Sequence, residues 1–198
     1  MITAEEIKFA GQYVETLRLL VHGLELPGTN RSRAAASCLG IAQQHHHAIV
    51  RLIEENLFAS SFALLRVEFE AYIRGEWLSL CANDSIIEAF LKGKEPPKID
   101  CLLSELEMLE SFEGKELSRI KNNTWRALCA YTHTGGLHVQ RWNTADGVEA
   151  NYSREEILEV MTSAEMIASL SVIGIARLAG NENLANHAYS SFQKRMGL

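Results

Sequence analysis

Apolar residues recur along most of the chain at the three- to four-residue spacing of amphipathic helices, and no segment alternates as a half-buried β-strand does. The spacing predicts helices over residues 3–22, 31–55, 59–82, 85–91, 98–111, 115–133 and 153–178, with a short terminal helix after residue 183. Thr3 with Glu6, and Ser153 with Glu156, have the spacing of capping boxes that begin two of these helices. The pattern predicts an all-α protein, a helical bundle of about six to eight helices.

Polar breaks between the predicted helices are short. The clearest break, residues 93–98, contains two adjacent prolines but is too short to separate domains. Residues 134–152 are rich in Gly, Asn, Asp and Thr and are predicted to form a loop. The chain is therefore expected to form a single domain over residues 1–198.

Composition favours a cytoplasmic protein. Apolar residues make up 47% of the chain, which is enough for a packed core, but no apolar run approaches the roughly 18 residues that cross a bilayer. The first residues lack the pattern of a secretory signal. Four distant cysteines lie among apolar neighbours: Cys38, Cys81, Cys101 and Cys129. This arrangement predicts free thiols in a reducing compartment and argues against a structural zinc site.

The formal net charge is −6, yet positive charge is concentrated in one segment. Residues 115–141 carry five basic side chains and one acidic one, Glu116, which makes this segment +4 and the remainder −10. The basic residues are Lys115, Arg119, Lys121, Arg126 and Arg141. A local excess of this kind is what an anion-binding site would show.

Three consecutive histidines occur inside the second predicted helix. Adjacent helical residues point about 100° apart, so His45, His46 and His47 cannot all bind one ion. His46 falls on the apolar stripe with Ile49, and His47 lies on the polar side with Arg51. We interpret them as core or boundary residues. Because the chain also lacks the Glu-x-x-His pairs of di-metal bundles and the glycine-rich phosphate loops, no metal or cofactor is expected.

Arg66, Glu70 and Arg74 follow one another at four-residue intervals on one face of the third predicted helix. One interpretation is a structural ion ladder that braces neighbouring helices. The other is a pair of guanidinium groups that recognise phosphate or carboxylate. The sequence leaves both open.

Arg126 and His133 are seven residues apart, so both side chains leave one face of a helix near its C-terminal end. An imidazole beside a fixed cation suits cleavage of RNA through its own 2′-hydroxyl: His133 would transfer the proton and Arg126 would stabilise the charged phosphorane. The alternative is a surface arginine and a histidine that caps the helix end.

The spacing Arg126-x6-His133, on a late helix of an all-α chain, resembles the Arg-x(4–6)-His signature of the HEPN superfamily. The resemblance extends to bacterial HEPN-like proteins that combine a mid-chain helix, here Leu64–Trp77, with a later His-x-Gly-Gly segment, here His133–Gly136. It covers about residues 30–180, mostly as a helical pattern.

This resemblance implies a metal-independent endoribonuclease of a toxin–antitoxin or antiphage system. It implies a homodimer in which the Arg/His pairs of two copies face each other, RNA as substrate, a cognate antitoxin as partner, and no membrane association. Arg126 and His133 would be the catalytic pair. One departure from the family pattern is Ala127, because active relatives often have a polar residue directly after the arginine. Tyr131 or His138 would then act as an accessory group in place of that polar residue.

Three hypotheses follow. The first is the endoribonuclease. The second is a non-catalytic helical binding or dimerisation module of unknown ligand, in which the ladder residues, Arg126 and His133 form a buried polar cluster. The third is a small-molecule enzyme without a recognisable motif. Whether Arg126 and His133 are exposed together or buried distinguishes the first two.

Overall fold

The computed structural model describes residues 2–197, without the side chain of Met196, and these residues form an all-α bundle, as predicted. Its nine α-helices are α1 (Ala4–Val21), α2 (Asn30–Glu54), α3 (Phe58–Leu80), α4 (Asp84–Leu91), α5 (Ile99–Leu106), α6 (Glu116–Thr132), α7 (Gly136–Gln140), α8 (Arg154–Leu178) and α9 (Glu182–Met196). Both capping boxes form: the Thr3 hydroxyl accepts from the Glu6 N–H and the Ser153 hydroxyl from the Glu156 N–H.

Two predicted segments differ from the structure. The helix expected over 98–111 ends at Leu106 and is followed by a 3₁₀ turn at Glu110–Phe112, because the Glu107 carboxylate binds the N–H and hydroxyl of Ser118 and bends the chain toward α6. The loop expected over 134–152 contains α7 and an isolated β-bridge. Five residues make little more than one turn, too short for apolar periodicity to reveal.

Helices α2, α3 and α8 pack around Leu39 with glycines at the points of closest approach. A Cβ at Gly75 of α3 would lie 2.7 Å from the Leu39 side chain. A Cβ at Gly174 of α8 would overlap the carboxylate of Glu76. The short connection after α2 makes α2 and α3 antiparallel neighbours, and together with α8 they form the centre of the core.

His46 of α2 and Glu68 of α3 occupy the same level of this interface. Leu39 of α2 packs against Gly75 of α3, and the two helices are antiparallel. His46 comes two helical turns after Leu39, and Glu68 comes two helical turns before Gly75, so the two residues lie at the same height along the helix pair. Both side chains are fully buried, and neither has a hydrogen-bond partner among the described residues. Burial lowers the pKa of His46 to about 3 and raises the pKa of Glu68 well above its usual value, so burial favours the neutral form of each side chain.

Helix α8 corrects the expectation that no apolar stretch is long enough to span a bilayer. It contains an 18-residue window with a mean hydropathy of 1.5, but 61% of that window is buried inside the protein. The apolar residues of α8 pack against α1, α2, α3 and α9, so they form the interior of the bundle.

The four cysteines are free thiols, as predicted. Cys38 is buried in α2, but Cys101 is exposed on α5, contrary to the expectation that all four lie in apolar surroundings. Burial raises the pKa of the Cys38 thiol, which keeps it protonated.

Candidate functional site

His133 is held by an arginine from another helix. Its Nε2 atom lies 2.6 Å from Nη1 of Arg66, which projects from α3 toward the C-terminal end of α6. A guanidinium group only donates hydrogen bonds, so Nε2 must be the acceptor. The imidazole is therefore neutral in this contact, with its proton on Nδ1.

Glu70 fixes the orientation of that arginine. Its carboxylate accepts one bond from Arg66 Nε and one from Arg74 Nη2, each 2.9 Å long. The side chains of Arg66 and Glu70 are only 19% and 14% exposed, whereas the side chain of Arg74 is 36% exposed. The predicted ladder is confirmed, and because Arg66 also contacts His133, the ladder is part of the candidate site.

Trp125 is a site residue that the sequence interpretation missed. The Arg66 guanidinium carbon lies 4.8 Å from the Trp125 ring centroid, and Lys121 Nζ lies 5.3 Å from it. Lys121 is itself ion-paired with Asp100 of α5. The four-residue spacing of Lys121 and Trp125, directly before Arg126, was the available signal.

Arg126 and His133 are both exposed, so the buried cluster expected by the second hypothesis is wrong for these two residues. Within residues 2–197 no hydrogen bond or ion pair of Arg126 is recorded, which leaves its guanidinium group to solvent. The structure therefore pairs His133 with Arg66, and it places Arg126 beside Trp125 on the exposed side of α6.

Tertiary contacts neutralise much of the positive charge of residues 115–141. Two of its five basic side chains form tertiary ion pairs, Lys121 with Asp100 and Arg141 with Glu156. Arg119 pairs with Glu116 of the same helix, whose charge the value of +4 already includes. The positive surface near His133 is consequently smaller than the sequence suggested, and Arg126 and the ladder arginines supply it.

The backbone directly after His133 is strained. Thr134 has a φ of 53°, a left-handed conformation that β-branched residues rarely adopt. It ends α6 in a Schellman turn, in which the Gly135 N–H donates to the carbonyl of Ala130 at 2.7 Å. Gly135 allows a close approach there, because a Cβ would lie 3.0 Å from the Ala130 Cα. This turn determines where His133 leaves the helix.

Tyr131 and His138 belong to an aromatic cluster. Tyr131 packs edge-on against Phe62 with ring centroids 5.1 Å apart, and against His138 at 5.3 Å. His138 is buried, and its Nε2 lies 3.0 Å from the hydroxyl oxygen of Tyr152. The contact between these two candidate accessory residues therefore anchors α7 to α6.

Ala127 lines an apolar cleft between α3, α6 and α8 that has a volume of about 190 Å³. Arg126, one residue earlier, is exposed. A polar residue in place of Ala127 would therefore face the cleft.

The consecutive histidines have different surroundings. His46 is a core residue, as predicted; after burial, the nearby positive charges of His47 and Arg195 contribute to its low pKa. His45 is half-buried, which lowers its pKa, and His47 is exposed. Among the described residues, no three His, Cys, Asp or Glu side chains are arranged to hold a metal ion.

Comparison with known families identifies the family to which the chain belongs. A family model, described as a family of unknown function (DUF6988), matches residues 39–196, so the chain belongs to that family. No curated protein and no solved structure gives a significant match. The matched span contains Arg66, Trp125, Arg126 and His133.

Proposed function

We propose that this member of DUF6988 is an endoribonuclease that cleaves RNA through the 2′-hydroxyl. His133 is the acid–base group, and Arg66 and Arg126 bind the scissile phosphate. The observation that carries the proposal is the exposed imidazole of His133, with Nε2 2.6 Å from Arg66 Nη1. The resemblance to the HEPN superfamily supports the same activity.

The chemistry follows from the donors and acceptors present. Before RNA binds, the Nε2 lone pair of His133 accepts from Arg66. A phosphate oxyanion is a stronger acceptor than a neutral imidazole, so it draws the guanidinium toward itself and frees Nε2. Nε2 then removes the 2′-hydroxyl proton while that oxygen attacks phosphorus. Arg66 and Arg126 donate to the non-bridging oxygens as charge accumulates on them.

The second half of the reaction requires an acid. As the bond from phosphorus to the 5′-oxygen breaks, that oxygen takes up a proton, and the products are a 2′,3′-cyclic phosphate and a free 5′-hydroxyl. In the homodimer that we propose, His133 of the second copy takes part in its protonated, imidazolium form and supplies this proton, while His133 of the first copy keeps the proton from the 2′-hydroxyl. Static light scattering on the full chain tests the assembly, and a monomer at micromolar concentration contradicts the composite site.

The cellular setting that we propose is the cytoplasm, in a toxin–antitoxin or antiphage system with an antitoxin partner. Free thiols and the HEPN resemblance support this setting.

A second candidate function is a binding module that holds an anionic ligand without cleaving it. This function is favoured by the contacts that Arg66 already makes. Glu70 and His133 accept hydrogen bonds from its guanidinium group, and Trp125 packs against it. The same surface then binds phosphate through Arg126, and the ladder is structural.

One assay separates these functions. Full-length protein is incubated in EDTA with an RNA and with a DNA of the same sequence. Cleavage of RNA alone is expected, with a loss of about 10²–10⁴-fold in His133→Ala. Arg119→Ala is the matched control, because Arg119 is an exposed arginine of the same helix that pairs with Glu116. If the parent leaves RNA intact but binds it through Arg126, the ribonuclease proposal is wrong and the binding module replaces it.

A further inference from the structure

The apolar cleft between α6 and α8 lies apart from the His133 surface. Its floor is formed by Phe62, Leu65 and Phe69 of α3, and its volume is about 190 Å³. An apolar cavity of roughly 150 Å³ in another protein is known to bind benzene. The cleft is therefore large enough for one aromatic ring or a compact branched alkyl group.

Short side chains keep the cleft open. Helix α6 packs mainly on α3, and its side toward α8 presents Ala127. On α8 the cleft is bordered by Ser163. Neither side chain is long enough to fill the space between the helices, so a cleft remains above the buried floor residues.

Negative charge is concentrated at one end of the cleft. Glu156 and Glu159 of α8 line it near Tyr131, and both carboxylates contribute, after burial, to the raised pKa of the Tyr131 phenol. The two oxygens of Glu156 are occupied by Arg141 and by the backbone N–H of Ser153. Glu159 is exposed, and within residues 2–197 no hydrogen bond or ion pair of its carboxylate is recorded. One carboxylate thus remains for a cation at the mouth of an apolar cleft.

We propose that this cleft binds a small primary amine with an apolar body, such as an arylalkylamine, with its ammonium group at Glu159 and its ring in the cleft between Ala127 and Ser163. The ammonium group would also lie near the Tyr131 ring, where a cation–π contact adds to the attraction. The Glu159 carboxylate repels a ligand that carries a carboxylate of its own. This site is independent of the proposed ribonuclease activity, because Ala127 and Tyr131 line the cleft whereas Arg126 and His133 are on the exposed surface.

Three probes of equal size test the charge preference on the full-length protein: phenethylamine, phenethyl alcohol and phenylacetate. Binding is measured by isothermal titration calorimetry, and two-dimensional NMR locates it. Phenethylamine is expected to bind about fivefold more tightly than the alcohol, as for an exposed ion pair with a cation–π contact, and phenylacetate more weakly than both. Equal affinity for the amine and the alcohol, or no binding of any probe, overturns the proposal.

Variants separate the charge from the cavity. Glu159→Gln should remove most of the preference for the amine over the alcohol, whereas Glu155→Gln, an exposed glutamate of the same helix outside the cleft, should keep the preference. Ser163→Leu fills the cleft and should abolish binding of both probes. Ala127→Leu, on the opposite wall, provides the same test if Ser163→Leu does not fold. Binding that persists in a folded filled variant, or a preference for the amine that is undiminished in Glu159→Gln, contradicts the assignment.

Discussion

The imidazole of His133 and the guanidinium group of Arg66 are 67 positions apart in the chain, yet Nε2 and Nη1 are separated by 2.6 Å. Arg66 also binds Glu70 and covers one side of Trp125. Three separate interactions thus hold one guanidinium group in a fixed orientation beside an exposed imidazole. The Arg66 side chain has therefore already lost most of its conformational entropy before any ligand binds.

This relationship predicts that Arg66 matters at least as much as Arg126 for RNA cleavage. Arg66→Ala should reduce kcat/KM by about 10²-fold or more, because it removes a phosphate donor and the partner of His133. Arg66→Lys should recover only part of the activity, since an ammonium group lacks the two parallel N–H donors. Single-turnover cleavage in EDTA measures both variants, with Arg119→Ala as control. An Arg66→Ala variant as active as the parent would exclude this arginine from the reaction.

The ladder should contribute to stability in proportion to burial. Glu70→Ala leaves two arginines without their common partner and should cost about 2–3 kcal/mol, somewhat below the loss for a fully buried pair. Arg74→Ala should cost about 1 kcal/mol, because this arginine is more exposed. Urea denaturation measures both, and Arg51→Ala, from the exposed pair of Arg51 and Glu54, should change the free energy of unfolding by less than about 0.5 kcal/mol. If the three variants unfold alike, the ladder has no structural role.

Thr134→Gly should stabilise the protein by about 1 kcal/mol. Glycine adopts a φ of 53° without the steric cost that threonine incurs there. For a chain of this length the melting temperature should rise by about 2–4 °C, as measured by circular dichroism. Thr144→Gly, in the loop after α7, is a control in which the same replacement should not stabilise. A lower melting temperature for Thr134→Gly would mean that the threonine side chain contributes more than its conformation costs.

His46 should make the protein sensitive to acid. Its pKa is about 3 in the fold and near 6.5 in the unfolded chain, so the unfolded chain takes up a proton first as the pH falls. Stability is therefore lost from about pH 6.5 downward, by at most about 1.4 kcal/mol per pH unit from this group. Urea denaturation between about pH 7 and pH 4 should show a smaller loss in His46→Leu than in the parent, and an unchanged loss in His47→Gln. Equal slopes in the parent and His46→Leu would refute this.

Glu68 should make the protein less stable as the pH rises, whereas His46 does so as the pH falls. Burial raises its pKa in the folded state, so the folded chain keeps a proton that the unfolded chain releases, and stability is lost as the pH rises above about 4.5. Glu68→Gln should therefore be more stable than the parent at about pH 8 and similar to it near pH 4. Glu88→Gln, an exposed glutamate of α4, should show no such gain. A Glu68→Gln variant that is no more stable than the parent at about pH 8 would contradict this prediction.

The sequence determined the long helices, the two capping boxes, the ladder of Arg66, Glu70 and Arg74, and the burial of His46. All of these depend on contacts within about two helical turns, and helical spacing specifies which side chains share a face. The seven-residue spacing of Arg126 and His133 was sufficient to expect both side chains at one end of α6. It did not reveal that His133 binds Arg66.

Only the tertiary structure decided which groups meet. The packing of α6 on α3 brings Arg66 to His133 and Trp125, and long-range ion pairs neutralise Lys121 and Arg141, which a local charge count leaves positive. The same packing moves Tyr131 and His138 into an aromatic cluster and leaves a cleft beside α8. These outcomes depend on the side-chain volumes of three helices at once, and no local spacing along the chain specifies that fit.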